Sequence, residues 1–148
     1  MVSWLDARGD PVVLDEFMQS LNRESGELHV GSDSHSTGDD WLFATAVCVY
    51  VEGKGGCFYY RRSRFRKDSF PNLFDRLMKE TTLSILAAEE IREITGKSVT
   101  IHADVATSSS VSSKYKGAVV SYVEAMGFPV VTKPDSWASS SIADKKAR

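Results

Sequence analysis

Two apolar segments of the chain end in the same way, and they constrain the fold more than any other feature. The segment Leu28–Ser34 is a short run of strand-forming residues that closes on Asp33, and Ser98–Val105 closes on Asp104 in the same manner. In open α/β sheets, functional groups gather at the carboxyl ends of parallel strands. If these two strands are neighbours, their carboxylates are expected to meet at one edge of the sheet.

The first half of the chain contains one predicted helix and three predicted strands. Asp10 and Pro11 are typical of a helix N-cap and a first helical position, and apolar residues then recur at helical spacing until a break at Asn22–Gly26. Short turns join the strands that follow, so these strands must be antiparallel neighbours, because a parallel pair needs a long crossover. The predicted strands are Glu27–Ser34, Trp41–Glu52 and Cys57–Arg64.

The second half of the chain alternates helices with strands. Leu73, Leu77 and Glu80 begin a stripe at helical spacing, and Gly96 is suited to cap the end of that long helix. A serine-rich loop at Thr107–Ser113 leads into the next helix. The predicted elements are a helix at Pro71–Thr95, a strand at Ser98–Asp104, a helix at Tyr115–Met126, a strand at Phe128–Thr132 and a helix at Ala138–Arg148.

This order of elements predicts an α/β fold with a single domain over residues 1–148. A three-strand meander followed by two right-handed crossovers gives a mixed five-stranded sheet in the order 3-2-1-4-5, with helices on both faces. The N-terminal helix is expected to be an extension over residues 1–26. The order places strand four beside strand one, so Asp33 and Asp104 are expected to be adjacent.

Two further carboxylates are candidates for the same site. Glu80 lies on the apolar stripe of the long helix and therefore points toward the sheet, and Asp144 follows Ile142 and Ala143 in the last helix. At about 4 Å and an effective dielectric of about 20, each pair of like charges costs on the order of 4 kcal/mol. Hard divalent cations remove that repulsion, and an all-carboxylate set suits Mg²⁺ or Mn²⁺. Two such ions about 4 Å apart can activate a water and stabilise the leaving oxygen of a displacement at phosphorus.

Each of these carboxylates also has a purely structural interpretation. Asp33 suits a turn or a helix cap, and Glu80 suits a pair with an arginine of the third strand. Asp144 suits a solvated position on a terminal helix. The order of all four carboxylates along the chain is more specific than any one of them.

A dense group of cations occupies the end of the third strand and the residues just after it, and is interleaved with aromatic side chains. One interpretation is a surface that tracks phosphates, with bases or sugars near the aromatic rings. The other is an edge strand kept soluble by charge. Lys133, next to the predicted site, either contacts phosphate or is an ordinary surface lysine. The cations of the group are Arg61, Arg62, Arg64, Arg66 and Lys67.

The histidines permit two interpretations as well. His35 follows Asp33 by two residues, so it either transfers a proton or binds substrate, or it is a turn residue without a role. His29 and His102 share the strand parity of the two aspartates. They therefore either complete a mixed site suited to a transition metal or are core histidines with satisfied hydrogen bonds.

Composition and spacing exclude several other classes. The formal net charge of −2 makes any attraction to nucleic acid a local property, and two cysteines are too few for a disulfide framework. The N-terminus lacks the layout of a signal peptide, and the longest apolar run, Trp41–Val51, is far short of the roughly 20 residues of a membrane helix. We therefore expect a cytoplasmic protein without a membrane partner. The chain also has neither a Gly-x-Ser-x-Gly elbow nor a P-loop.

The acidic pattern resembles the ribonuclease H-like nuclease fold, which has a strand aspartate, a three-strand meander, a helical glutamate, an aspartate on strand four and an aspartate on the last helix. Four local strings resemble the small bacterial YkuK-type branch most closely. The resemblance covers about residues 27–148 and leaves out the first helix. The strings are Val30–Ser34, Ile101–Asp104, Lys133–Ser139 and Ala143–Asp144.

The resemblance implies roles for the carboxylates. Asp33 would bridge two metal ions, and Glu80 and Asp104 would each bind one of them. Asp144 would complete the second site.

The leading hypothesis is thus a Mg²⁺- or Mn²⁺-dependent nuclease that cleaves phosphodiester bonds of RNA or DNA with a two-metal carboxylate site. Two alternatives remain open. One is a nucleic-acid-binding module that kept the fold and lost turnover, and the other is a metal-dependent phosphatase of small substrates. Binding that survives both EDTA and Asp33→Asn favours the binding module. Competition between a simple phosphate ester and an oligonucleotide distinguishes a phosphatase from a nuclease.

Overall fold

The strands and helices of the predicted fold are present in the computed structural model, which describes residues 4–23, 26–51, 53, 55–105 and 111–148. A π-helical segment at Ala138–Ala143 runs directly into the last helix. The elements are α1 (Leu14–Arg23), β1 (Glu27–Thr37), β2 (Asp40–Val51), β3 (Gly55–Arg66), α2 (Leu73–Thr95), β4 (Val99–His102), α3 (Lys116–Ala125), β5 (Val130–Val131) and α4 (Asp144–Ala147).

The strands form one five-stranded sheet in the order β3-β2-β1-β4-β5, so the predicted sheet is confirmed. β1 pairs with β2 and β2 with β3 in antiparallel fashion. β4 runs parallel to both β1 and β5. The register of β1 and β4 places Leu28 opposite Val99 and Gly31 opposite His102.

Several strand ends differ from the predicted ones. β1 continues to Thr37, because its backbone stays paired with β2 beyond the apolar residues, as far as the pair of Thr37 and Asp40. β4 is shorter than predicted and ends at His102, so Asp104 lies just past the strand. Glu52, the predicted end of the second strand, and most of the predicted serine-rich loop (107–110) lie outside the described residues.

The predicted helix start at Asp10 and Pro11 is wrong, since α1 begins at Leu14. The backbone of this segment hydrogen-bonds to the N-terminal residues instead. The Val12 N–H donates to the Trp4 carbonyl, and the Asp10 carbonyl accepts from Asp6. Pro11 forms an isolated bridge with Leu5, which also pairs with Tyr60 at the edge of β3. These long-range hydrogen bonds override the local cap signal.

Helices cover both faces of the sheet, as predicted, but unequally. The main core lies between the sheet and helices α1, α2 and α3, and it includes Phe17, Leu21, Leu28, Val30, Ile85, Ile91, Ile101 and Val123. The opposite face carries the π-helical segment and α4, which pack Ala138 and Ala143 against Ala46 and Tyr60. Among the described residues, no helix combines the length and apolar composition needed to cross a membrane.

The π-helical segment lies very close to the sheet at one glycine. A Cβ built on Gly31 would approach the Ser139 backbone nitrogen to 2.5 Å and the Ala138 carbonyl carbon to 2.7 Å. The Ser139 hydroxyl donates to the His102 carbonyl at 2.6 Å, which fixes the segment over the junction of β1 and β4. Gly31 therefore sets how closely the C-terminal segment lies on the sheet.

We expect Gly31→Ala to lower stability by about 1–3 kcal/mol, because overpacking against backbone atoms cannot be relieved by a side-chain rotation. The matched control is Gly117→Ala in α3, where an added Cβ meets nothing within 4 Å. That change should stabilise by about 0.4–1 kcal/mol. Thermal unfolding of the two variants measures the contrast, and equal melting temperatures would contradict the proposed close contact.

Candidate metal centre

The register of β1 and β4 brings Asp33 and Asp104 together. Gly31 and His102 are opposite one another in parallel strands, and Asp33 and Asp104 each follow two residues later. Carboxylate oxygens of Asp33, Glu80 and Asp104 lie within 4.8 Å of one another. The predicted meeting of the two strand aspartates is therefore confirmed.

Glu80 reaches this pair from the face of the sheet that carries α2. Its side chain is buried, as its position on the apolar stripe predicted. The Ser34 hydroxyl donates a hydrogen bond of 2.5 Å to Glu80 Oε2. The alternative interpretation, a pair with an arginine of the third strand, is wrong, because the hydrogen-bond partner of Glu80 comes from β1.

Asp144 reaches Asp33 from the opposite face of the sheet. It is the first residue of α4, and its ligand atom lies within 4.8 Å of those of Asp33 and His35. His35 Nε2 is 2.8 Å from Asp144 Oδ1, and the Arg148 guanidinium is 3.3 Å from Oδ2. Asp144 is therefore part of the cluster rather than a solvated residue of a terminal helix.

The donor set fits a divalent cation. Asp33 belongs to both groups of ligand atoms, one with Glu80 and Asp104 and the other with His35 and Asp144. Carboxylate oxygens are the ligands that hard divalent ions prefer. Asp104 Oδ1 is buried and accepts no hydrogen bond from the described residues, although Lys133 Nζ lies 3.2 Å away as an ion-pair partner. The two groups could therefore hold metal ions.

Burial and mutual repulsion shift the ionisation of the central acids. Burial, then the Asp104 charge and then a hydrogen bond with Asp144 raise the pKa of Asp33 to about 7. Burial and the Asp33 charge hold the pKa of Glu80 well above its ordinary value. Burial is the largest cause of both shifts, and the charges of neighbouring carboxylates add to it.

Asp144 shifts in the opposite direction. Its partial burial favours the neutral form, but hydrogen bonds from His35, Asp33 and Arg148 outweigh burial and lower the pKa of the Asp144 carboxyl. Asp144 is thus the carboxylate that stays ionised. In the absence of a cation, Asp33 holds the proton of the hydrogen bond between the two side chains.

The basic group of β3 divides between the two faces of the sheet. Arg61 lies on the α1 side, stacks on Trp4 at 4.5 Å and pairs with Glu90 at 2.8 Å. Alternate residues of β3 face the side that carries α4, and there Arg62 is in one row with Ala44 and Asp33. Three arginines are exposed on this face, namely Arg62, Arg64 and Arg66.

His29 and His102 satisfy each other. The Ala138 N–H donates to His102 Nδ1 at 3.1 Å, so His102 Nε2 carries the proton that it shares with His29 Nδ1 at 2.9 Å. His29 Nε2 then donates to Glu27 at 3.1 Å. Burial and the neighbouring His29 lower the pKa of His102 to about 4, so this ring is neutral. The geometry favours satisfied histidines over a transition-metal site.

Sequence reasoning missed two residues that hold the carboxylates in place. Ser34 has the strand parity of the buried Val30, and an inward serine next to a carboxylate was the available signal. Arg148 lies four residues after Asp144, a spacing that pairs side chains along a helix.

A comparison with protein families matches most of the chain. A family model described as "Ribonuclease H-like" matches residues 12–148. The match includes α1, whereas the family resemblance seen in the sequence motifs begins only at about residue 27. No curated protein matches the chain significantly. The narrower YkuK-type assignment stays a prediction.

The raised pKa of Asp33 has a consequence for stability in the absence of metal. An unfolded aspartate ionises near pH 3.9, so between about pH 4 and pH 7 the folded state binds more protons than the unfolded state. The free energy of unfolding must therefore fall as the pH rises through this window. Asp33→Asn removes the effect and should stabilise the metal-free protein at pH 8 by on the order of 1–3 kcal/mol.

Thermal melts in EDTA at pH 4 and pH 8 measure this difference. The control is Asp135→Asn, which changes an exposed aspartate of a nearby turn and should leave the melting temperature unchanged at both pH values. If Asp33→Asn instead lowers the melting temperature at pH 8, the ionised Asp33 carboxylate does not destabilise the metal-free fold and the prediction is contradicted.

Proposed function

Because the chain belongs to the ribonuclease H-like family, we propose that it is a divalent-metal-dependent nuclease that hydrolyses phosphodiester bonds of RNA or DNA. The observation that carries this proposal is the position of Asp33 in two groups of ligand atoms. Two donor groups that share one carboxylate match the arrangement that holds a pair of ions in phosphodiester hydrolysis.

In this proposal Asp33 is the shared ligand, Glu80 and Asp104 complete one ion site, and Asp144 completes the other. The oxygen-rich donor set favours Mg²⁺ or Mn²⁺. When bound, such ions supply a nucleophilic water at neutral pH and neutralise charge that develops on the leaving oxygen.

Other side chains keep the carboxylates in place. Ser34 donates to Glu80, and Lys133 is paired with Asp104 at 3.2 Å. Arg148 and His35 hold Asp144 from two sides. We assign His35 and Lys133 accessory roles, His35 as a group that can exchange a proton beside the reacting phosphate and Lys133 as a phosphate contact.

The exposed arginines of β3 support a nucleic acid as the substrate. Arg62 lies two strands from Asp33 in the same row, which is about 10 Å at the usual strand spacing. Ala44 lies between them and is fully buried, so nucleic acid that contacts Arg62 would follow the exposed arginines of β3 rather than cross the sheet at Ala44. A small phosphate ester would need no such extended basic surface, and this disfavours the phosphatase alternative.

We expect the purified protein to cleave single-stranded, double-stranded or hybrid oligonucleotides with Mg²⁺ or Mn²⁺ and not in EDTA. Asp33→Asn and Glu80→Gln should each lower the cleavage rate by at least about 100-fold, because each removes a charge that an ion needs. The matched control is Glu89→Gln, on the same helix and outside the cluster, which should retain full activity.

Gel-shift binding in the same samples separates the outcomes. Binding without cleavage, unchanged by EDTA and by Asp33→Asn, would support a nucleic-acid-binding module instead. Cleavage of a simple phosphate ester that an oligonucleotide does not inhibit would support the phosphatase. If the protein neither binds nor cleaves any of these oligonucleotides with either ion, the proposal is contradicted altogether.

The division of the basic group predicts different effects for two neighbouring arginines. Arg62→Gln should reduce the slope of log affinity against log salt by about 1, because one phosphate contact is lost. Arg61→Gln removes an ion pair with Glu90 and a contact with Trp4, so it should lower the melting temperature and leave the salt slope unchanged. Equal salt slopes for both variants would contradict this assignment of faces.

A further inference from the structure

Three cationic side chains gather over two aromatic rings beside the start of α2. The Arg76 guanidinium lies 4.1 Å from the centre of the Trp41 ring, and Lys67 Nζ lies 5.4 Å from the same ring. Lys79 Nζ lies 4.4 Å from the centre of the Phe65 ring. Aromatic faces attract cations and fix their position without neutralising their charge.

The two rings form one surface. Trp41 and Phe65 are directly opposite in the register of β2 and β3, so they project from the same face of the sheet, the one that α2 covers. Lys67 also donates a hydrogen bond to the Ser36 hydroxyl. The cations are therefore held at defined positions rather than spread over solvent.

These three cations differ from cations of the chain that form ion pairs. Arg61, Arg64 and Lys133 each lie within 4.0 Å of a carboxylate. Within the described ranges, no carboxylate oxygen lies within that distance of Lys67, Arg76 or Lys79. In addition, Arg76 Nε is buried and has no acceptor among the described residues. A buried N–H without an acceptor is unfavourable. The Glu80 charge acts on Arg76 only at longer range, so a bound anion could satisfy this donor after a small movement of the guanidinium.

Position and chemistry identify the anion. Arg76 precedes Glu80 by four residues on α2, so the two side chains are neighbours on one helix face. Lys79 immediately precedes Glu80, and Ser36 immediately follows His35. A guanidinium with two ammonium groups is a typical binding set for phosphate, which accepts several charge-assisted hydrogen bonds at once.

We propose that Lys67, Arg76 and Lys79 form a phosphate-binding subsite beside the carboxylate cluster. It binds a phosphate of the nucleic acid at a different position from the phosphodiester that is cleaved. This phosphate is either an internal phosphodiester or a terminal phosphate. The identity of the strand rests on the proposed function, whereas the affinity for phosphate rests on these side chains alone.

The first test observes the orphaned donor directly. Two-dimensional ¹H–¹⁵N spectra of the full chain in EDTA resolve arginine Nε–H signals, and Arg76→Gln identifies the signal of Arg76. Titration with sodium phosphate should shift this signal, whereas sodium chloride at equal ionic strength should not. The control signal is that of Arg92, which lies on the same helix and stacks on Phe128 at 4.2 Å. An Arg76 signal that moves no more than that of Arg92 overturns the proposal.

The second test measures binding of labelled oligonucleotides in EDTA, with and without a 5′-phosphate. Arg76→Gln should weaken binding by about tenfold, the effect of losing one charge-assisted contact. Arg92→Gln should change binding less than about twofold. A loss confined to the 5′-phosphorylated oligonucleotide identifies a terminal phosphate, and an equal loss with both identifies an internal one. Equal effects of the two variants overturn the proposal.

The two proposals fail separately. Both tests exclude divalent ions, so a phosphate-dependent shift of Arg76 in a protein that never cleaves nucleic acid supports the subsite and contradicts the nuclease. Cleavage without any response of Arg76 to phosphate supports the nuclease and contradicts the subsite. Thermal melts of Arg76→Gln and Arg92→Gln show whether each variant is folded, and the phosphate titration itself is measured on the wild-type protein, with the variants used only to assign its signals.

Discussion

The parallel pairing of β1 with β4 is the constraint on which the rest of the site depends. Its register sets Gly31 opposite His102, so Asp33 within β1 lies beside Asp104, just past the end of β4. β4 ends there, so Glu80 can approach from the α2 face. The absence of a side chain at Gly31 lets Ser139 lie against the sheet, and the same segment then delivers Asp144 from the other face.

The chain pairs the outer carboxylates of the cluster with cations and, among the described residues, leaves the inner ones without an ion pair. Lys133 is paired with Asp104, and Arg148 is paired with Asp144. None of the ion pairs in the described part of the chain involves Asp33 or Glu80, and burial raises the pKa of both acids. The remaining repulsion is what a bound divalent ion would remove, so the fold is poised to gain stability from a cation at its centre.

Much of the fold could be predicted because local patterns and the sheet agree. The inward stripe of α2, the cap at Gly96 and the short turns of the meander are all local signals, and they gave the correct element order. The start of α1 could not be found in this way, because the backbone on either side of Pro11 hydrogen-bonds to Trp4 and Asp6 rather than to the helix. Long-range pairing decided that boundary.

By itself, the sequence determined which residue types were available and which acids belong to or follow each strand, since strand parity and helical period are properties of the local chain. Only the tertiary structure decided their partners. It divided the basic group between two faces, paired His29 with His102, and brought Arg76 and Lys79 to the rings of Trp41 and Phe65. The physical reason is that a contact between distant segments depends on strand register and on how closely helices approach the sheet, and neither is encoded within a single segment.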